Sequence, residues 1–438
     1  MRISYSFKQV IEGNDVKNVF QCPKGTKDVL PEEQVYWQHI EAVIRKVVRL
    51  YGYEKLDLPI FEETALFQRG VGEGTDIVEK EMYTFQDKGG TFLTLRPEFT
   101  ASVVRAYIQQ GMSSLPRPVK VWSIGPVFRY ERPQAGRYRQ FHQFNVEAFG
   151  EEDPALDFEI MQVAWHLYDM LGFRNLSFQL NSIGCPICKP AYLKRLVDYY
   201  RSRETGICDD CRKRLNKNPL RLLDCKTESC RPFIASAPPM YEHLCPECNG
   251  HFNTLRSYLD TLKKTYTLNH TLVRGLDYYT KTVFEVWAEG IGAQNAVCGG
   301  GRYDGLVEIL GGASTPGVGF ASGLERIVLA LQQQKGSVPP PSPPLAYVSY
   351  HGPAAEKKAV ELLAGLREKG IEAIMGFGAR SLKAQLREAD RRKAVFAVLL
   401  GDLEMARGET LVKKMDGGMQ ENVRWDDLAS VLMKARIP

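Results

Sequence analysis

The stretch that decides the fold is residues 125–150, which read GPVFRYERPQAGRYRQFHQFNVEAFG. Its middle, residues 132–139, contains Pro133 and Gly136, and both residue types favour a turn or loop. The residues on either side alternate with the period of two that is typical of β-strands. The stretch therefore predicts two strands joined by a loop, that is, a hairpin.

The same alternation predicts which side chains of the hairpin share a face. In the first arm, Arg129 and Glu131 lie on one face. The second arm has two faces, with Phe141, Gln143 and Glu147 on one and His142, Phe144 and Val146 on the other. A guanidinium group matches phosphate oxygens, and an aromatic ring offers a stacking surface for a base. The hairpin is therefore a candidate site for a charged, planar ligand, and a solvated, salt-bridged face is the alternative.

The composition is that of an ordinary globular protein. A length of 438 residues predicts two or three domains with ample core. Lys and Arg number 57 against 52 Asp and Glu, a balance that tolerates a nucleic-acid partner without indicating one. No run approaches the roughly 20 apolar residues of a membrane span, and the first residues lack a secretory signal. We therefore expect a cytoplasmic protein whose cysteines are not in disulfides.

The order of sequence patterns predicts three structural regions. A helical pattern runs from Glu32 to about Leu50, and TFLTLRPEFTASVVRAYI predicts a strand ending near Arg96 and a helix beginning near Pro97. From residue 185 to about 265 the pattern changes and predicts an inserted module. The sequence KGSVPPPSPP at 335–344 predicts a stiff linker. Beyond it, alternating strand and helix patterns predict a small α/β domain with a mainly parallel sheet.

Cysteines are concentrated in the predicted insertion. It contains eight of the ten, namely Cys185, Cys188, Cys208, Cys211, Cys225, Cys230, Cys245 and Cys248. Three C-x-x-C pairs are a strong signal for thiolate ligands, and four cysteines suit a structural zinc ion. Eight ligands could fill two tetrahedral sites, but the spacing does not determine the pairing. Free buried cysteines are the alternative.

Four segments resemble, in family order, the class II aminoacyl-tRNA synthetases in the form that the histidyl-tRNA synthetase family uses. FRYERPQAGRYRQFHQ is similar to motif 2, and GVGFASGLERIVLAL at 317–331 is similar to motif 3. LVRGLDYYTKTVFE at 272–285 and AVCGGGRYDGL at 296–306 resemble the two histidine-specific segments. The resemblance runs from about Pro23 to the end of the chain. The first predicted helix occupies the place of motif 1, so the resemblance implies a homodimer.

The resemblance also implies a domain organisation. It predicts an α+β catalytic domain, built on an antiparallel sheet flanked by helices, with an inserted, cysteine-rich and mostly helical module. A C-terminal α/β anticodon-binding domain would follow. We expect a lead-in at 1–21, catalytic core at 22–184 and 266–334, the module at 185–265, the linker at 335–344 and the anticodon-binding domain at 345–438.

The activity that the resemblance implies is histidine activation followed by transfer to tRNA. The carboxylate of L-histidine would attack the α-phosphorus of ATP, which carries Mg2+, and the resulting histidyl-adenylate would react with the 3′ end of tRNA(His). The implied ATP-binding residues are Arg129, Glu131, Arg137, Phe141 and Arg326, and the implied catalytic residues are Arg129 and Arg274. The implied histidine-binding residues are Glu98, Thr100, Gln143, Glu147, Arg274, Tyr278 and Tyr279. Arg132 and Gln134 would touch the acceptor end of the tRNA.

Two other functions fit parts of the sequence. The family includes a non-catalytic, histidine-sensing regulatory paralogue of ATP phosphoribosyltransferase, which lacks the C-terminal domain and has eroded catalytic segments. Here RGLDYYTKTVFE is intact and about 95 residues follow the linker. A zinc-dependent nucleic-acid-binding protein would use the arginine hairpin but would leave the glycine-rich and RGLDYY segments without a role. Two positions depart from the family pattern, because Phe99 and Asn145 stand where glycine is common.

Overall fold

The computed structural model describes residues 20–288, 296–334, 338–339, 342–378 and 380–434. Nearly all of the predicted lead-in at 1–21 lies outside the described residues, as does half of the predicted linker at 335–344. The chain divides into two compact units between residues 339 and 340. Within the described part of the chain, no helix combines the length and the apolar character needed to cross a membrane.

An eight-stranded sheet is the frame of the first unit. In spatial order its strands are β1 (Glu54–Lys55), β5 (Val119–Phe128), β6 (Gln140–Phe149), β11 (Gly317–Gly323), β10 (Ala296–Arg302), β9 (Thr280–Trp287), β7 (Ser177–Ser182) and β8 (Tyr266–Leu268). The five inner pairings are antiparallel. The edge strands β1 and β8 pair in parallel with their neighbours. The predicted antiparallel sheet is therefore confirmed for its inner strands, and the whole sheet is mixed.

A second, smaller sheet and a set of helices complete the catalytic part. The small sheet is antiparallel and consists of β2 (Phe61–Glu63), β4 (Phe92–Leu95) and β3 (Tyr83–Gln86), in that order. The helices are α1 (Pro31–Leu50), α2 (Thr64–Val71), α3 (Thr100–Gln109), α4 (Pro154–Met170), α9 (Leu306–Ile309) and α10 (Leu324–Gln333). Helix α3 begins three residues after the predicted Pro97, which leaves Glu98 just before its first turn.

Alternation along β6 separates two layers. Phe144, Val146 and Ala148 are buried in the main core, which also holds the apolar stripe of α1 and residues of α4 and α10. Gln143 and Glu147, which occupy the alternate positions of the strand, are buried as well but lie on the opposite face. A second core beside that face includes residues of α3, β5 and β9. One face of the sheet therefore carries the helical layer and the other carries buried polar groups.

The insertion between β7 and β8 is helical, as predicted. Its helices are α5 (Lys189–Arg201), α6 (Asp209–Lys217), α7 (Arg231–Ala235) and α8 (Pro246–Thr261), joined by short 3-10 turns. Tyr192, Leu196 and Leu215 belong to an apolar cluster that also contains most of the cysteines. The module therefore has a small core of its own.

The second unit is an α/β domain. Its sheet has the order β13 (Ala373–Met375), β12 (Ala346–Tyr350), β14 (Phe396–Leu400), β15 (Glu409–Lys414) and β16 (Gln420–Arg424). Its helices are α11 (Pro353–Glu368), α12 (Leu382–Arg391), α13 (Asp402–Arg407) and α14 (Leu428–Lys434). Only the two pairings of β12 are parallel, and the pairings β14–β15 and β15–β16 are antiparallel. The expectation of a mainly parallel sheet was wrong for β15 and β16. The connections that precede these two strands are short and permit only antiparallel pairing.

Candidate active site

A cavity of about 710 Å³ lies in the first unit. The four arginines that the sequence singled out, Arg129, Arg137, Arg274 and Arg326, all line it. Two come from the loop between β5 and β6, one from the segment before β9 and one from α10. Folding therefore gathers guanidinium groups that are up to about 200 residues apart in the sequence.

Contacts inside and outside the hairpin loop hold its two arginines at the cavity. Arg129 Nε donates to the carbonyl oxygen of Pro97 at 2.9 Å, and its guanidinium lies 5.5 Å from the centre of the Phe141 ring. Arg137 Nε lies 3.0 Å from Glu131 Oε2. Burial lowers the pKa of Arg326, and repulsion from Arg137 lowers it further. Positive charge is thus concentrated on this wall, which favours a polyanionic ligand.

Arg274 is half-buried, with 24% of its side chain exposed, and is oriented by an ion pair. Its Nη1 forms an ion pair with Glu285, whose other oxygen accepts a hydrogen bond of 2.9 Å from Trp287 Nε1. Burial alone would lower the pKa of Arg274, but the Glu285 carboxylate together with Tyr279 and Tyr278 outweighs it, so the pKa is raised. A Cβ atom on Gly299 would lie 2.5 Å from the Arg274 guanidinium. The glycine therefore leaves the space that the guanidinium occupies.

Glu147 is the centre of a buried polar cluster beside the cavity. Its carboxylate accepts hydrogen bonds from Thr100 Oγ1 at 2.7 Å, from Asn145 Nδ2 at 2.6 Å and from the Tyr303 hydroxyl. Glu147 is only 1% exposed, and this burial raises its pKa to about 8. Gly319 on the adjacent strand has no room for a Cβ atom because Glu147 occupies that space.

The other predicted histidine-binding residues surround this cluster. Glu98 accepts hydrogen bonds from the backbone N–H groups of Thr100 at 2.6 Å and Ala101 at 2.8 Å. The rings of Tyr278 and Tyr279 are buried with their centres 4.7 Å apart. The predicted residues Gln143 and Arg274 line the large cavity itself. Among the described residues, the buried Oε1 atom of Gln143 has no hydrogen-bond partner, as expected of a group that awaits a ligand.

Sequence reasoning missed three residues of this site. Asn145 and Tyr303 both bind Glu147, and Glu285 pairs with Arg274. Strand alternation could have found Asn145, since it lies between Gln143 and Glu147 on the same face. Arg132 and Gln134, the predicted acceptor-end residues, are exposed in the hairpin loop and do not line the cavity.

The eight cysteines of the insertion form two groups of four. One contains Cys185, Cys188, Cys245 and Cys248, and the other contains Cys208, Cys211, Cys225 and Cys230. In the first group Cys185 Sγ lies 3.7 and 3.8 Å from two of its partners, and in the second the distances Cys208–Cys225 and Cys211–Cys230 between Sγ atoms are 3.8 and 3.9 Å. A tetrahedron with Zn–S bonds of about 2.3 Å would place its sulfurs about 3.8 Å apart. Both groups therefore fit a four-coordinate thiolate site.

Class II aminoacyl-tRNA synthetases have this arrangement, in which arginines gather over the inner strands of an antiparallel sheet. The first unit has the fold of that class. A family model described as Histidyl-tRNA synthetase matches residues 25–186 and 240–327, and one described as Anticodon binding domain matches residues 345–435. The chain belongs to the histidyl-tRNA synthetase family. The first model leaves residues 187–239 unmatched, and they lie within the cysteine-rich insertion.

Individual proteins resemble the chain over nearly its whole length. A histidine–tRNA ligase from Desulforudis audaxviator is 51% identical over 412 residues, which are 94% of this chain and 98% of the relative. One from Dehalococcoides mccartyi is 48% identical over 417 residues, or 95% and 100%. The crystal structure of apo histidyl-tRNA synthetase from S. aureus matches with a TM-score of 0.80 at 37% identity and covers 94% of this chain and 100% of its own. These similarities confirm the family resemblance of the sequence motifs.

Proposed function

We propose that the chain is a histidine–tRNA ligase. It activates L-histidine with ATP to give histidyl-adenylate and pyrophosphate, and then transfers histidine to the 3′ end of tRNA(His). The observation that carries this proposal is the gathering of four arginines on one cavity beside the buried Glu147 cluster. In such a reaction positioning and electrostatic stabilisation carry the catalysis, and no residue becomes covalently attached.

The cavity supplies the groups that ATP needs. Arg129 and Arg274 bind the α-phosphate, where negative charge builds as the histidine carboxylate attacks. Arg137 and Arg326 bind the outgoing phosphates, which also carry Mg2+. Phe141 stacks on the adenine ring, and Glu131 accepts a hydrogen bond from the adenine amino group. The lowered pKa of Arg326, which burial and the neighbouring Arg137 cause, supports this assignment, because a polyphosphate would relieve the repulsion.

The polar cluster supplies the groups that histidine needs. Glu147 and Tyr279 bracket the imidazole ring, with Tyr278 beside them, while Glu98, Thr100 and Gln143 surround the amino and carboxylate groups. A site that pairs both ring nitrogens rejects apolar analogues by roughly 10⁴-fold or more, because its own polar groups would otherwise remain unpaired. The burial of Glu147 and its three hydrogen-bond donors support this role.

Further parts of the proposal concern metal, partners and location. A structural zinc ion at each cysteine group would hold the insertion together, and a cytoplasmic location would keep these thiols reduced. The exposed rings of Phe61, Phe85 and Phe92 on the small sheet support a homodimer, since such rings are often buried at interfaces. The second unit would bind the anticodon, and Arg132 and Gln134 would touch the acceptor end.

The experiment that tests the activity is histidine-dependent exchange between pyrophosphate and ATP, measured without tRNA. We expect the wild-type protein to catalyse it, and Arg274→Ala to lose nearly all exchange while still binding histidine. Arg174→Ala is the matched control, because Arg174 is exposed and does not line the cavity. A wild-type protein that binds histidine without exchange would instead be a regulatory paralogue.

A further inference from the structure

The wall of the large cavity is not made by the catalytic segments alone. Two of its lining residues, Asp224 and Lys226, belong to the cysteine-rich insertion. Lys226 is highly exposed, with 84% of its side chain accessible, and its Nζ lies 2.5 Å from Asp224 Oδ1. A fifth cation therefore faces the cavity that the four arginines line.

The residue between these two is a member of the second cysteine group. Cys225 Sγ lies 3.8 Å from Cys208 Sγ and accepts a hydrogen bond of 3.4 Å from the backbone N–H of Thr227. A metal ion bound by this group would fix the backbone on either side of Cys225. The direction in which Lys226 leaves the chain is therefore set by the cysteine group.

The same segment is also tied to the catalytic part of the unit. Arg221 Nη2 lies 2.8 Å from Asp76 Oδ2. Asn218 Nδ2 donates to Asp277 Oδ1 at 2.9 Å, and Asp277 lies between Arg274 and Tyr278 in the sequence. The second contact holds the start of the segment against the loop that carries Arg274, and the first holds it against Asp76, so both attach the segment to the catalytic part.

We propose that Lys226 binds the polyphosphate of ATP and that a metal ion at the second cysteine group positions it there. The inference rests on the proposed function and assigns the insertion a part in ATP binding. A lysine ammonium is a mobile point charge that suits phosphate oxygens, and its long side chain can turn from Asp224 towards a bound nucleotide. Its exposure on the arginine-lined cavity distinguishes it from the buried residues of the Glu147 cluster.

The direct test compares Lys226→Ala with Lys213→Ala. Lys213 is an exposed lysine on α6 of the same module and does not line the cavity. We expect Lys226→Ala to raise the KM for ATP about two- to fivefold, the effect of one lost solvent-exposed charge contact, while kcat and the KM for histidine change little. Lys226→Arg should keep most of the affinity. Equilibrium binding of ATP, measured by calorimetry, should show the same ratio.

A double-mutant cycle tests the positioning role of the cysteine group. Cys225→Ser should reduce bound zinc from two ions per chain to one and should weaken ATP binding by the same factor as Lys226→Ala. In the Lys226→Ala background it should weaken ATP binding no further, because the positioned group is already absent. Cys245→Ser, in the first cysteine group, should also lose one zinc ion but should keep the affinity for ATP.

The outcomes separate this inference from the proposed function. A wild-type protein that shows no exchange would overturn the proposed activity. The comparison of ATP binding by calorimetry would still test the role of Lys226. Unchanged ATP affinity in Lys226→Ala, equal losses in Lys226→Ala and Lys213→Ala, or an effect confined to the KM for tRNA would each overturn the assignment of Lys226. Additive losses in Cys225→Ser and Lys226→Ala would overturn the positioning role.

Discussion

Gly299→Ala is the substitution whose effect on the reaction follows most directly from the geometry. Gly299 lies on β10, and its missing side chain leaves the space taken by the guanidinium of Arg274. A Cβ atom there would lie 2.5 Å from three atoms of that group, whereas ordinary contacts begin at 3.4 Å. The guanidinium must therefore retreat by about 0.9 Å, the difference between these two distances.

The size of the effect follows from what can move. The atoms that would collide belong to the end of a side chain and not to the backbone, so the fold should survive. Arg274 is nevertheless held by its ion pair with Glu285, so a shift must also disturb that pair. A displacement of about 1 Å in a positioning group can cost about 10²-fold in rate. We therefore expect Gly299→Ala to lower kcat for adenylate formation about 100-fold, with little change in histidine affinity.

Pyrophosphate exchange at saturating ATP and histidine measures this loss. Gly305→Ala is the matched control, because a Cβ atom there meets nothing within 4 Å and its φ of −89° suits alanine. Combining Gly299→Ala with Arg274→Ala gives the decisive comparison, since the double variant should be no worse than Arg274→Ala alone. A Gly299→Ala enzyme within about threefold of wild type, or one that loses further activity in the double variant, would refute the reasoning.

Two further predictions concern the pH dependence of stability and the metal. Burial raises the pKa of Glu147 and therefore favours the native state in which Glu147 is protonated. The stabilisation from this protonation is fully present below the unfolded pKa of 4.5 and is lost as the pH rises through about 8. We expect the unfolding temperature of the ligand-free protein to fall between pH 5 and pH 9, and to fall less in Glu147→Gln; parallel curves would contradict this. A chelator should remove about two zinc ions per chain and should reduce helical circular dichroism modestly, because the metal would stabilise only the insertion. A zinc content near zero in protein purified without chelator would count against both sites.

The sequence predicted the local structure of the site well, and the reason is visible in β6. A strict period of two placed Gln143 and Glu147 on the face opposite Phe144 and Val146, and tertiary packing kept that division. Partners far apart in the sequence could not be derived in this way. Tyr303 donates to Glu147 across 156 positions of the chain. Only the order of strands in the sheet brings these two residues together.

The cysteine groups and the second unit show the same limit. The spacing of the cysteines identified eight candidate ligands. It did not decide whether Cys185 and Cys188 share a site with Cys208 and Cys211 or with Cys245 and Cys248. The pairing with Cys245 and Cys248 is decided by the start of α8, which packs next to the start of α5. In the second unit the alternating pattern gave the elements, whereas the strand directions of β15 and β16 depend on short connections that the pattern does not encode.

The insertion is attached to the catalytic part in two different ways, and this difference decides what metal loss should do. At its C-terminal end, His251 on α8 lies 2.5 Å from the carboxylate of Asp157, which also forms an ion pair of 2.6 Å with the fully buried Arg302. Breaking the buried hydrogen bond between His251 and this carboxylate would leave a buried polar group without its partner, which is unfavourable, so α8 should stay docked.

The segment before Lys226 is tied down by contacts of another kind, the partly exposed pairs Arg221–Asp76 and Asn218–Asp277. Such pairs contribute little individually, so this segment depends on the second cysteine group for its order. Metal loss at that group should therefore disturb the ATP side of the cavity while α8 and the Glu147 cluster remain in place. That separation is why a change in ATP affinity without a change in histidine affinity is the expected signature of metal loss at the second cysteine group.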